Sequence, residues 1–371
     1  MIKVLNIVSD TNIGGAGRVI LNYLRCQDTE NFKTYVAVPK GSMLIEQLEK
    51  TCAVVLEVDG IADKSYDKSD IAKLEALIKE IKPDIVHTHG SLSGRIAAKN
   101  CGCKVVYTRH SAFPLSWKMK SLPGRLVNRY VAKKYSDKII AVGPAAEENL
   151  LGSGIPKSMI TTMMNGVSPV VKLKDDEIAR VKEEYGITDE FVILLLARIE
   201  EYKGHLSVVD AAKMLKDAGR KFKIIFAGEG SFEPVVREKV KELGLEDEVI
   251  FTGFVRDVEK VLSIADIQVN ASIDTETSSL SILEGFSMGL PAIVSSSGGN
   301  PMLVKDGYNG LIFETGSSKQ LYDAFIRVIA DKDIILPDMG AHALERYKNE
   351  FTGEAFAKKV EKLYRDCLEG K

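Results

Sequence analysis

The chain has 371 residues, 45% of them hydrophobic and 27% charged. That balance builds a folded core and the length suits two domains, which excludes a wholly disordered chain. The net charge of −2 is uneven: residues 1–170 hold 23 Lys and Arg against 16 Asp and Glu, while residues 171–371 hold 27 against 36. A basic half on an acidic whole points to an anionic partner for the first half.

Ile2–Val8 reads as a first strand, because the apolar run after Lys3 is too short for a leader core. A glycine-rich turn, Gly14-Gly15-Ala16-Gly17, comes next, and then a helix pattern over 19–24. Ile71, Leu74, Leu77, Ile78 and Ile81 fall at helical spacing, and Pro83 stops that helix. The run Ile85-Val86-His87-Thr88-His89 starts the next strand, followed by strands over 104–108 and 138–142. In the second half, strands are expected over 191–196, 222–227, 249–251, 267–270, 291–295 and 311–313, with helix patterns between nearly all of them. Strands alternating with helices make parallel sheets covered on both faces. The fold class is therefore α/β, with two doubly wound domains of six or so strands each.

The boundary is expected after Asn165-Gly166-Val167, giving domains over 1–167 and 168–350. A last helix over 351–371 carries Phe351, Ala355, Phe356, Val360, Leu363 and Tyr364 on one stripe. The longest clean apolar run, 191–197, has seven residues, and a membrane-spanning helix needs about 20. The cysteines number five, and Cys101-x-Cys103 has no second pair to complete a zinc site. They read as reduced thiols in a cytoplasmic protein.

Ligands of doubly wound sheets gather at the carboxyl ends of strands, so the loops that follow strands are where chemistry is sought. The Gly14 turn is a phosphate-cradling candidate, since a helix N-terminus and backbone amides converge there. It is not a full Gly-x-Gly-x-x-Gly, which weakens a nicotinamide-dehydrogenase reading. Arg198 and Lys203, five residues apart after a strand, can reach one diphosphate as a planar fork and a point charge. The bland alternative pairs them with Glu200 and Glu201. Glu276 and Glu284 flank a helix start at which Ser278 or Ser279 is expected to cap.

Taken together these segments resemble the retaining family-4 glycosyltransferases of the GT-B fold over nearly the whole chain. The resemblance rests on the order and spacing of the Gly14-Gly15 turn, Arg198-x4-Lys203, Gly228-Glu229-Gly230, Glu276-x7-Glu284, Gly289-Leu290-Pro291, Gly298-Gly299 and Asp306-Gly307-Tyr308-Asn309-Gly310. It implies two facing Rossmann-like domains, with the C-terminal helix crossing back to the first. Arg198 and Lys203 correspond to the diphosphate pair, Glu284 to the ribose carboxylate and Glu276 to the residue holding the donor sugar. Gly14, Gly15 and Ala16 correspond to the phosphate-closing turn, Phe254 and Val255 to the nucleobase site, and His110 to a histidine close to the donor sugar. Arg198, Lys203, Glu276 and His110 are thereby the catalytic set. Where relatives often read Glu-Gly-Phe-Gly this chain has Glu276-Thr277-Ser278-Ser279, then Leu280, so bulkier groups line the sugar.

The resemblance implies a nucleotide-diphosphate sugar as substrate, no cofactor and no metal, and a glycan or lipid-linked sugar as acceptor. His89 and Arg109 are assigned to the acceptor side. His87 alternates to the buried face and reads as structural, and His205 and His342 have no supporting context. Asp331-Lys332-Asp333, the Asp-x-Asp match, lies between helix patterns and reads as surface. No Asp or Glu in a loop after a strand of the first half stands out as a base, so retention is the expected course. The stretch 117–134 interleaves Trp117, Leu122, Leu126 and Tyr130 with six cations and no acid, a pattern suited to an anionic membrane surface or glycan; no nucleic-acid motif accompanies it. The rival readings are a sugar-nucleotide epimerase of the same fold and a non-catalytic nucleotide-sugar-binding subunit.

Overall fold

Short runs of Val, Ile and Leu closed by polar or glycine turns become strands buried on both faces, as parallel sheets require. The computed structural model describes residues 1–62, 65–274 and 276–370. The chain divides into two units, Met1–Ser168 with Phe351–Lys371, and Pro169–Glu350.

The first unit holds β1 (Ile2–Val8), β2 (Phe32–Pro39), β3 (Val54–Val58), β4 (Ile85–His89), β5 (Lys104–Arg109), β6 (Lys138–Val142) and β7 (Ile160–Met163). They form one parallel sheet in the order β3-β2-β1-β4-β5-β6-β7. The sequence reading does not include β2, β3 or β7. β3 and β7 are the sheet edges, where exposed and half-buried positions blur the apolar run. Leu5, Ile7, Leu74, Ile78, Val86 and Val105 form part of this unit's core. The helix Lys68–Ile81 starts where the Asp67 carboxylate accepts from the Ser69 amide, and it ends at Lys82 in a left-handed conformation just before Pro83.

The second unit holds β8 (Phe191–Leu196), β9 (Phe222–Ala227), β10 (Val249–Gly253), β11 (Ile267–Asn270), β12 (Ala292–Ser295) and β13 (Gly310–Phe313), in the order β10-β9-β8-β11-β12-β13. All of its ladders are parallel. Each sheet thus reverses strand order once, between β1 and β4 in the first unit and between β8 and β11 in the second. A connection runs in opposite directions from such a point, which opens a crevice at the strands' carboxyl ends.

After a π-helical turn, Tyr347–Phe351, the last helix Gly353–Glu369 packs on the helix Gly15–Arg25 and on β5. Phe356, Val360, Leu363 and Tyr364 are its buried apolar contacts, each contributing about 1.5–3 kcal/mol relative to exposure. A β-bridge joins Val167 to Thr352, and a β-carbon on Gly166 would stand 2.3 Å from the Thr352 carbonyl oxygen. Only a glycine lets those two backbones touch.

Candidate functional site

In the second unit the reversal point is occupied by the loops after β8 and β11. Arg198 lies exposed two residues past β8 and donates from Nη2 to the Tyr202 hydroxyl at 2.8 Å. A 3-10 turn, Glu201–Lys203, ends on Gly204 at φ +72°. A side chain on Gly204 would stand 2.0 Å from the Ala271 carbonyl oxygen, so the turn lies directly against the start of the loop after β11. That approach brings Lys203 Nζ to 2.9 Å from Glu276 Oε2. The same oxygen accepts from Asn270 Nδ2 and Ser272 Oγ, both at 3.0 Å. Glu276 is 7% exposed. Burial pushes its carboxyl up, but Lys203 and the hydrogen bonds outweigh it, and the net effect holds Glu276 below the usual carboxylate range. It is an ionised carboxylate.

The glycine pairs have one physical cause. A β-carbon on Gly228 or Gly230 would meet the carbonyl oxygens of Ala197 and Ile199 at 2.0 and 2.1 Å, and one on Gly298 or Gly299 those of Glu276 and Thr277 at 2.0 and 1.8 Å. The loops after β8, β9, β11 and β12 therefore stack backbone to backbone, which sets the positions of Arg198 and Glu276. Phe254, after β10, presents a half-exposed ring, and its amide donates to Glu229 Oε1 at 3.1 Å. Val255 is half-buried. Glu284 lies buried within the helix Leu280–Ser287.

Thr277, Ser278 and Ser279 are buried, and Leu280 opens that helix. Ser279 takes the N-cap position, but its hydroxyl lies 3.1 Å from the Ser281 hydroxyl and caps no amide. The expected serine cap is therefore not made. The helix begins without a side-chain cap.

In the first unit, Gly14 is the extended N-cap of Gly15–Arg25, which also begins without a side-chain cap. Gly15 is open, with nothing within 4 Å of where a β-carbon would sit, and Ala16 is half-buried. Gly17 is constrained by packing, since its β-carbon would stand 2.5 Å from Leu44. Asp10, which the sequence reading did not single out, lies two residues past β1, with Oδ2 3.0 Å from the position of a Gly14 β-carbon.

His89 ends β4 and His110 follows β5, and the structure bonds them, His89 Nδ1 to His110 Nε2 at 2.8 Å. His89 Nε2 lies 3.0 Å from Asn6 Oδ1 on β1. His87 is buried between Thr108 Oγ1 at 2.6 Å and the Tyr364 hydroxyl at 2.7 Å. Burial holds His110 down near 4 and, with the His110 charge, His87 near 3; burial and both neighbouring histidines hold His89 well below 6.5. All three are neutral at pH 7. Arg109 donates to the Ser111 carbonyl oxygen and to Asn149 Oδ1, each at 3.0 Å, and so braces its own loop.

Two family models tile the chain: "Glycosyltransferase Family 4" over residues 13–170 and "Glycosyl transferases group 1" over residues 177–346. The chain belongs to the family-4-type glycosyltransferases of the GT-B fold. This glycosyltransferase is 28% identical over 276 residues to the putative glycosyltransferase EpsD of Bacillus subtilis (strain 168), covering 68% of this chain and 70% of that one. It is 26% identical over 390 residues to the UDP-Gal:alpha-D-GlcNAc-diphosphoundecaprenol alpha-1,3-galactosyltransferase of Escherichia coli, covering 100% and 98%. Its fold matches the crystal structure of Anabaena HepE in complex with UDP-glucose at a TM-score of 0.86, with 19% identity over 99% of this chain and 100% of that one.

Sequence reasoning missed Asn270 and Ser272, which hold Glu276, and Asn6, which holds His89. Asn6 and Asn270 were legible only as polar residues inside apolar strand runs, a signal worth reading because a buried amide needs partners. Asp331, Lys332 and Asp333 are exposed. Among the described residues no group of three or more His, Cys, Asp or Glu could hold a metal ion, and no helix is long and apolar enough to cross a membrane. The basic stretch forms the helices Trp117–Lys120 and Leu122–Tyr135, with Trp117, Leu122, Leu126, Val127 and Tyr130 exposed.

Proposed function

We propose that this glycosyltransferase moves a hexosyl unit from a nucleotide-diphosphate sugar to a glycan or lipid-linked acceptor, with retention and without a divalent metal. The observation that carries the reading is the Lys203–Glu276 pair at the reversal point of the second sheet. An ammonium has three N–H donors. The bond to Glu276 uses one, so Lys203 can reach phosphate oxygens while keeping the carboxylate. Arg198 adds a planar fork from the same loop. Glu276, held ionised, accepts sugar hydroxyls and has no proton to give as a general acid. When the C1–O bond to the diphosphate breaks, negative charge grows on the leaving oxygen, and cations already in place stabilise it most in the transition state. The uncapped amides of Leu280–Ser287 add partial positive charge. Phe254 offers the nucleobase a stacking face, and Glu284 takes the ribose. For the N-terminal unit the reading assigns the Gly14-Gly15-Ala16 turn to phosphate contact and His110 to the donor sugar.

The Escherichia coli relative, a galactosyltransferase with a UDP-sugar donor and a lipid-diphosphate acceptor, supports the same substrate classes here and a place in cell-envelope glycan synthesis. The exposed apolar and basic helices Trp117–Lys120 and Leu122–Tyr135 support peripheral docking on an anionic, cytoplasmic membrane face, where such an acceptor resides.

A panel of nucleotide sugars screened by thermal shift tests the donor: one present at 100 times its dissociation constant adds about 2.7 kcal/mol. Turnover of that donor with a lipid-linked acceptor, in EDTA, then tests the chemistry. An altered donor in the absence of acceptor would identify an epimerase. Rescue by magnesium after loss in EDTA would overturn metal independence. An inverted anomeric proton coupling in the product would make Asp10 the candidate base.

A further inference from the structure

Three polar side chains form an unbroken line at the carboxyl ends of β1, β4 and β5: Asn6, His89 and His110. Asn6 and His89 point to the same face because β1 and β4 pair in parallel register, Asn6 opposite His87 and Val8 opposite His89. Both are buried, Asn6 at 1% and His89 at 7% exposure. The His89 and His110 ring planes lie 25° apart with centroids at 5.1 Å, the spacing of two imidazoles bonded edge to edge.

We infer that Asn6 and His89 are positioning residues that hold His110 in its Nε2–H tautomer, so that its Nδ1 accepts a hydrogen bond from a hydroxyl of the bound sugar. A carboxamide oxygen only accepts. Asn6 turns its Oδ1 to His89 Nε2 at 3.0 Å, its Nδ2 staying buried without a hydrogen bond among the described residues, and this orientation places the His89 proton on Nε2. A neutral imidazole then has its lone pair on Nδ1, and the 2.8 Å contact to His110 Nε2 requires that nitrogen to carry the proton. The His110 lone pair is left on Nδ1. The line transmits one choice, made by an amide on β1, to the ring two strands away. Reversing it would turn the acceptor at Nδ1 into a donor, so the sugar hydroxyl would have to accept there and could no longer donate to His110. This rests on the assignment of His110 to the donor sugar in the proposed function.

Histidine-selective ¹⁵N labelling of the full chain, read in two-bond proton–nitrogen correlation spectra without ligand at pH 7, tests the tautomers directly. His89→Gln and His110→Gln variants assign the signals. Neutral Nε2–H tautomers at both His89 and His110 are expected, and an Nδ1–H tautomer at either overturns the inference. In turnover, Asn6→Leu should lower kcat about tenfold, the worth of one hydrogen bond, with the donor KM held within about twofold. Wild-type kcat in a folded Asn6→Leu would overturn the positioning role. Unchanged kcat in His110→Ala would instead remove His110 from the proposed function, and the positioning role with it, whatever the spectra show.

Discussion

The Lys203–Glu276 pair makes a quantitative prediction that separates its structural from its functional part. Replacing Lys203 with Ala leaves the Glu276 carboxylate 7% exposed and without its cation. Removing one partner of a buried pair costs about 3–5 kcal/mol. Asn270 and Ser272 still donate to the same oxygen, so the lower end applies, about 3 kcal/mol. Glu276→Gln should cost less, about 1–2 kcal/mol, because the Lys203 side chain is 19% exposed and its ammonium can turn to water. In the double variant no buried charge is left stranded, so the two losses should not add; the coupling should be about 2 kcal/mol. The pair also links to pH. Glu276 is depressed in the folded state, so its contribution is present above its unfolded value near 4.5 and is lost as pH falls through the folded value. Urea unfolding of the four proteins by circular dichroism, with hydrogen exchange of peptides from β8 and β11 locating the transition, gives the cycle. Coupling below about 0.5 kcal/mol would refute the claim that this contact organises the site.

Three further outcomes are expected. His87, His110 and His205 are held near 3, 4 and 4 by burial, so they stay neutral when folded while the unfolded chain takes up protons below about 6.5; stability should be level above that pH and fall toward pH 4, by up to about 1.4 kcal/mol per unit per histidine, and a flat denaturation midpoint between pH 7.5 and 5 contradicts it. Among the described residues neither ring nitrogen of the buried His205 is hydrogen-bonded, and the ring packs edge-on to Phe226, so His205→Leu should raise stability by about 1 kcal/mol and flatten part of that slope, whereas a loss of stability would show that the imidazole has a partner. Lys118/Lys120/Arg125→Glu should abolish co-sedimentation with anionic vesicles, since each cation is worth about 1 kcal/mol at such a surface; equal pelleting with neutral lipid would end the membrane reading but leave the transferase intact.

The strand–helix alternation and the loops that follow strands were legible in the sequence because local patterning determines them. A run such as Phe191–Leu196 has few other uses, and Arg198 and Lys203 follow it by chain connectivity alone. The glycine pairs were visible as motifs, but their reason was not: Gly204, Gly228 and Gly298 each avoid a carbonyl oxygen on a different loop, and no local rule names that loop. The edge strands β3 and β7 escaped because half-exposed edges lack a clean apolar signature. Tertiary structure alone decided the partners of charge and proton. Lys203 meets Glu276 across 73 residues, and Asn6 meets His89 across 83. Such pairs form only where strand order reverses and distant loops converge, which is a property of the sheet's topology and not of either segment's own sequence.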